Sequence, residues 1–169
     1  MTEFETLMIK HHPTVLRTAY RLLGRMEDAK DAAQEVFLKL LRNRADSPRK
    51  IEPWLYRVTV NVCNDYYRRR RRITALSKDW ADAAPDPEGI MRTWQTQHIL
   101  AAALGRLTRR EREAVVLRHI EGFSAAETAV ILNLEAATVR SRTHTARTKL
   151  ADYLRRRPGI GHNRIGVRE

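Results

Sequence analysis

Thr108-Arg109-Arg110-Glu111 and Ser124-Ala125-Ala126-Glu127 each place a hydroxyl residue three positions ahead of a glutamate. That is capping-box spacing: the hydroxyl accepts from the amide three residues on, and the glutamate reaches back to the capping residue's own amide. The first box opens a helix whose apolar stripe is Ala114, Val115, Leu117 and Ile120, ended by Gly122. The second opens a short helix through Leu132, stopped by Asn133-Leu134-Glu135. Another helix begins at Ala136 or Ala137 and carries Thr138 to Arg147. A short helix, a tight turn and a polar helix with spaced arginines make the helix-turn-helix pattern.

The rest of the chain agrees with an all-α fold. Alternating Val/Ile/Thr runs and Asn-Gly turns are missing, so strands are not expected. Phe4, Leu7, Met8, Val15, Leu16, Ala19, Tyr20 and Leu23 form one helical stretch, broken or kinked by Pro13 and stopped by Gly24. Asp28 is placed to cap the next helix, where Ala29, Ala32, Ala33, Val36, Phe37, Leu40 and Leu41 give the cleanest amphipathic stripe. After the polar loop Arg42 to Lys50, Pro53 suits a first helical position, and Leu55, Val58, Val62 and Tyr66 mark a buried face. From Ile73 to Gly89 the periodicity fades and Pro85, Asp86, Pro87 and Gly89 collect. The expected architecture is therefore two small helical domains joined by a flexible linker. Their bounds are 1–72, a linker at 73–91, a helix-turn-helix domain at 92–157, and a tail at 158–169 to which the sequence assigns no role.

Charge narrows the partner. The chain has 32 Lys+Arg against 20 Asp+Glu, a net +12, which favours a polyanion because each cation near a phosphate releases counterions. A membrane surface is also polyanionic, but no apolar run is long enough to insert, and the acidic start Met1-Thr2-Glu3-Phe4-Glu5 is unlike a signal peptide. Cys63 alone cannot form an internal disulfide and fits a reducing cytoplasm. With no spaced His beside it, it reads as an inert thiol. The six His show no metal spacing, so no metal, cofactor or catalytic residue is expected.

Three constellations carry function. On the helix after the tight turn, Val139 and Ala146 can face the core while Arg140, Ser141, His144 and Arg147 project outward, as a helix reading base edges and phosphates requires. On the helix from Trp54 to Arg68, aromatics interleave with Arg and Asn, which suits stacking on unpaired bases. Trp54 and Tyr66 also fit a core role, and Tyr66 lies on the apolar stripe. Tyr56, Asn61, Asn64 and Tyr67 fall off it. Arg68 to Arg72 form a run of like charges that a polyanion would neutralise. Finally, the acidic helix face from Asp28 to Glu35 suits a basic protein partner, although a plain solvated helix would look the same.

Taken in order, Asp-Ala-x-Asp-Ala-x-Gln-Glu-Val-Phe-Leu from Asp28, Pro-Trp-Leu-Tyr-Arg-Val from Pro53, Leu-Thr-x-Arg-Glu-Arg-Glu from Leu107 and Thr-Val-Arg-Ser-Arg from Thr138 resemble an extracytoplasmic-function sigma factor of bacteria. The resemblance runs from about residue 4 to 155. It implies a promoter-specificity subunit that binds core RNA polymerase and promoter DNA, is held by an anti-sigma factor, and works in the cytoplasm without membrane insertion. It implies further that Asp28, Asp31, Gln34 and Glu35 dock on the clamp coiled coil of the polymerase. The loop Asn43 to Glu52 and Trp54, Tyr56, Arg57, Asn61, Asn64 and Arg68 would recognise the minus-ten element. Thr138, Arg140, Ser141, Arg142, His144 and Arg147 would read the minus-thirty-five element. Two rivals remain. A stand-alone helix-turn-helix regulator leaves the aromatic–Asn helix and acidic face unexplained, and a nuclease or recombinase lacks clustered carboxylates or an activated nucleophile.

Overall fold

A computed structural model describes residues 2–43, 50–73 and 91–156, with backbone alone for 71–73 and 91–96. Most of the expected linker, the middle of the Arg42 to Lys50 loop and the tail lie outside the described residues. Every regular element among the described residues is a helix: α1 Glu3–Leu23, α2 Met26–Arg42, α3 Ile51–Ile73, α4 Met91–Leu104, α5 Arg109–Val115, α6 Ala125–Leu132 and α7 Ala136–Arg155. A π-helical turn, Val116–Ile120, continues α5.

Local chemistry accounts for most helix ends. Thr2 caps α1 with a full box, accepting from the Glu5 amide at 3.2 Å while its own amide donates to Glu5 Oε2. Gly24, at φ 75°, ends α1 in the left-handed conformation that lacks a Cβ penalty only for glycine. Thr108 and Ser124 form the boxes expected of them, with their hydroxyls accepting from Glu111 and Glu127 amides at 3.3 and 3.1 Å.

Three local expectations are corrected. Pro13 lies inside α1 without breaking it; one missing amide donor is tolerable where the flanking turns are packed against a neighbour, as Val15, Thr18 and Ala19 are. Asp28 does not cap α2. The helix starts at Met26 after Arg25, which makes no side-chain cap, and Asp28 pairs with Arg70 of α3 at 3.3 Å. Pro53 sits two residues inside α3, still within the first turn, where its missing N–H has no helical partner to lose.

Helices α1, α2 and α3 pack mutually. Ala19, Ala29, Ala32 and Ala33 are fully shielded and let the backbones approach closely, while Leu22, Leu23, Val36, Phe37, Leu55 and Val62 fill the space between. Of the expected α2 stripe only Leu41 is exposed. In the second half, Leu104, Leu107, Val115, Val116, Leu117, Ile131 and Ala146 are buried. These residues do not form a separate core: one continuous buried cluster includes both halves. Helix α1 touches α4 and α5, and α3 lies against α6.

Candidate nucleic-acid interface

The tight turn between α6 and α7 is fixed by Asn133, whose φ of 54° is the single positive value among described non-glycine residues. Asparagine tolerates that region better than most side chains. The Leu134 amide donates to the Ala129 carbonyl at 2.9 Å, and Val139 N–H reaches the Glu135 carbonyl to start α7. Val139, Thr143 and Ala146 face inward. Thr143 hides its hydroxyl by donating to the Val139 and Arg140 carbonyls at 3.0 and 2.9 Å. That inward Thr was missed in the sequence, though it lies four residues from Val139. With this face fixed, Arg140, Ser141, His144 and Arg147 are all exposed along the opposite side. Thr138 and Arg142 are half-buried at its edge.

On α3 the expected single-strand-binding residues do not share one surface. Asn61 and Arg68 are exposed, and Arg68 pairs with Asp65 at 3.0 Å. Trp54 is half-buried against the core. Tyr56, Arg57 and Asn64 instead meet the C-terminal half. The Tyr56 hydroxyl donates to Glu121 Oε2 at 2.8 Å, and its ring meets Phe123 edge-on at 4.8 Å. Burial first, then the Glu121 charge, pushes the Tyr56 hydroxyl pKa far up. Arg57 donates to the Val130 carbonyl of α6 at 2.9 Å. Asn64 is half-buried near Glu113, a carboxyl whose pKa burial raises. Tyr67, also off the stripe, donates to the Leu22 carbonyl at the end of α1.

The arginine run is quieter than its sequence suggests. Arg68 has Asp65, Arg69 lies over the Tyr66 ring at 5.7 Å, and Arg70 has Asp28. The acidic face of α2 is partly used internally in consequence. Asp31 and Gln34 remain exposed, while Glu35 is half-buried near Lys39 at 3.7 Å.

Two residues that sequence reading passed over hold the halves together. Arg112 is 4% exposed. Its guanidinium donates to the carbonyls of Leu104, Leu107 and Leu22 at 2.8–2.9 Å and to the Tyr67 hydroxyl. Leu22 and Leu104 lie in the last turns of α1 and α4, where unsatisfied carbonyls attract a cation. Desolvation pushes the Arg112 pKa down to about 10, which leaves it charged at neutral pH. Glu121 is the counterpart, accepting from Thr18, Arg21 and Tyr56. A sequence signal existed for Arg112: it sits on the buried side of the helical wheel, one turn before Val115 and Val116. For Glu121 none existed.

Among the described residues no group of His, Cys, Asp and Glu could hold a metal ion. Nor is any described helix long and apolar enough to cross a membrane. Cys63 is buried, and burial raises its thiol pKa, so it is held as the unreactive thiol.

Comparison with known proteins places these surfaces in a family. Residues 7–73 match the family model described as Sigma-70 region 2, and residues 97–150 match Sigma-70, region 4. The chain is similar to the ECF RNA polymerase sigma factor SigE of Mycolicibacterium smegmatis, with 40% identity over 160 residues covering 91% of this chain and 62% of that protein. It is also similar to SigM of Mycobacterium tuberculosis, at 35% identity over 158 residues, 89% of this chain and 76% of the relative. The fold matches a sigma factor of Bartonella quintana, RpoE, solved with the anti-sigma factor NepR. That match has a TM-score of 0.75 and 22% identity over 94% of this chain and 100% of the other.

Proposed function

The chain belongs to the extracytoplasmic-function RNA polymerase sigma factors, which direct transcription initiation, and from that premise we propose which surface does what. Helix α7 reads the minus-thirty-five element through Arg140, Ser141, His144 and Arg147, with Thr138 and Arg142 flanking. The exposed part of α3, led by Asn61 and Arg68, together with Trp54, Tyr56, Arg57 and Asn64 once these are released from the C-terminal half, captures the minus-ten strand. The face carrying Asp28, Asp31, Gln34 and Glu35 docks on a basic surface of core RNA polymerase. The protein acts in the cytoplasm and performs no catalysis: the polymerase supplies the chemistry, and this chain supplies position. The Bartonella quintana protein was solved with an anti-sigma factor, and a partner of that kind fits this chain.

The observation that carries the reading is α7. Its inward face is fully committed to the core, and what remains outward is a row of short polar and basic side chains behind a rigid turn. Such a helix offers base-edge contacts near its N-terminus and phosphate contacts along its length.

Truncating Arg140 to Ala tests it. Promoter affinity should fall by ~1–3 kcal/mol, with relaxed preference at one upstream position, if the residue reads a base. A uniform loss across sequences would make it a phosphate contact. An upstream footprint unchanged in Arg140→Ala and Arg147→Ala alike would remove α7 from promoter recognition.

A further inference from the structure

His11 is an unusual occupant of the inward face of α1. It is 6% exposed, and its Nε2 is shielded from solvent with no hydrogen-bond partner among the described residues. Buried ring nitrogens are ordinarily paired, and one that is not needs a reason. Burial first, then the neighbouring Lys10 charge, lowers the His11 pKa against an opposing pull from Glu52. At neutral pH the ring is therefore uncharged.

The ring borders a cavity of about 130 Å³ between α1 and the first turns of α3. Val15 and Leu55, both buried, give it apolar walls. Two of its three hydroxyls have committed their protons elsewhere: Thr59 donates to the Leu55 carbonyl at 2.7 Å and Tyr56 to Glu121 at 2.8 Å. What these two can offer a guest is oxygen lone pairs. Thr14, the third, can act as donor or acceptor. Glu52 is exposed and adds a carboxylate, so the cavity runs from a solvated anion to a buried neutral imidazole.

Those features select a guest by charge, donor count and size. Acceptors outnumber donors along the lining, so the guest has to bring N–H groups. The one formal charge there is negative, which favours a cation and repels phosphates and carboxylates. Apolar walls suit a flat or methylene-bearing body better than a strongly hydrated ion. The volume is slightly below the roughly 150 Å³ of a cavity that takes benzene, so about six heavy atoms fit. A metal ion matches poorly, because no metal-binding group of His, Cys, Asp and Glu occurs among the described residues.

We propose that the cavity between His11 and Glu52 is a binding site for a guanidinium group. Its planar fork of donors answers the Glu52 carboxylate and the Tyr56 and Thr59 oxygens, and its weak hydration lets it enter beside Val15 and Leu55. Two sources carry that chemistry: the arginine side chain of a protein partner, or a free small guanidine. Occupancy would join α1 to the first turns of α3, the helix assigned above to the minus-ten strand. Binding itself does not depend on that assignment.

The test is a titration of the full chain followed by the ¹⁵N and ¹H signals of the His11 imidazole, with exposed His12 and His144 as internal controls for general salt effects. The probes are N-methylguanidinium, its neutral counterpart N-methylurea, and the blocked peptide acetyl-Gly-Arg-Gly-amide. N-methylguanidinium is expected to shift His11 saturably, with a Kd in the ~millimolar range normal for so small a ligand, while His12 and His144 stay in place. N-methylurea should leave His11 unmoved at the same concentrations. Glu52→Gln should weaken the probe about tenfold by replacing a charge-assisted hydrogen bond with a neutral one, at an unchanged circular dichroism spectrum because Glu52 is exposed. Tighter binding of the peptide than of the probe would assign the group to a partner's arginine, and the reverse order to a free guanidine. No saturable His11 shift with either cation, equal binding of N-methylurea, or full affinity in Glu52→Gln would each overturn the site.

Discussion

Replacing Arg112 by Met is expected to lower the stability of the free protein by about 3–5 kcal/mol. The guanidinium is the common donor for the Leu22, Leu104 and Leu107 carbonyls and the Tyr67 hydroxyl. A Met of similar length fills the space but donates nothing. Each buried carbonyl left without its donor costs ~1–3 kcal/mol, offset in part because the burial of the charge itself no longer has to be compensated. Lysine should rescue only a fraction, since three donors on one nitrogen cannot fan out to carbonyls at the ends of α1 and α4. Urea unfolding followed by circular dichroism reads the effect. Because Arg112 ties α1 to α4, the Met variant is also expected to lose coincidence between probes placed in the two halves. An unfolding midpoint equal to wild type would show that the clamp contributes nothing.

Reversing Asp31 and Glu35 to Lys together is expected to weaken binding to core RNA polymerase by more than about a hundredfold. An exposed and a half-buried acidic position one helical turn apart would become cations facing a basic surface, and like-charge juxtaposition at an interface costs several kcal/mol. The fold should be spared. Asp31 is exposed, and Glu35, half-buried, pairs with Lys39 at 3.7 Å. Asp28 is the poorer target, because its pairing with Arg70 ties α2 to α3. Core polymerase captured by an affinity-tagged double variant as well as by wild type, at matched circular dichroism spectra, would remove the α2 face from docking.

The readable parts of this molecule are those in which sequence neighbours settle the structure. Thr108 and Ser124 announce their helices because the partner glutamate is three residues away. Gly24 and Gly122 mark chain reversals for the same local reason. The exposed side of α7 follows from Val139 and Ala146 alone, since fixing two inward positions fixes the rest. Asp28 misled because carboxylates that cap and carboxylates that pair look alike until the distant Arg70 is known. The arginine run has partners within the chain that composition does not show: Asp65, Tyr66 and Asp28 lie against Arg68, Arg69 and Arg70. Tyr56 stood out as a residue off the apolar stripe, but its partner, Glu121, lies far along the chain. Nothing near Val116 signals a π-turn, because it is the packing of Glu121 and Phe123 on α3 that favours it. For strand opening, Asn61→Ala is accordingly a cleaner probe than Tyr56→Ala, which would also remove the contacts to Glu121 and Phe123.

The most direct test of the central claim is run-off transcription with core RNA polymerase and this chain on duplex genomic fragments. Discrete transcripts are expected that require the chain, begin downstream of sites protected by α7, and vanish when Asp31 and Glu35 are both reversed. Fragments bound by the chain alone, with the polymerase starting nowhere new when it is added, would contradict it.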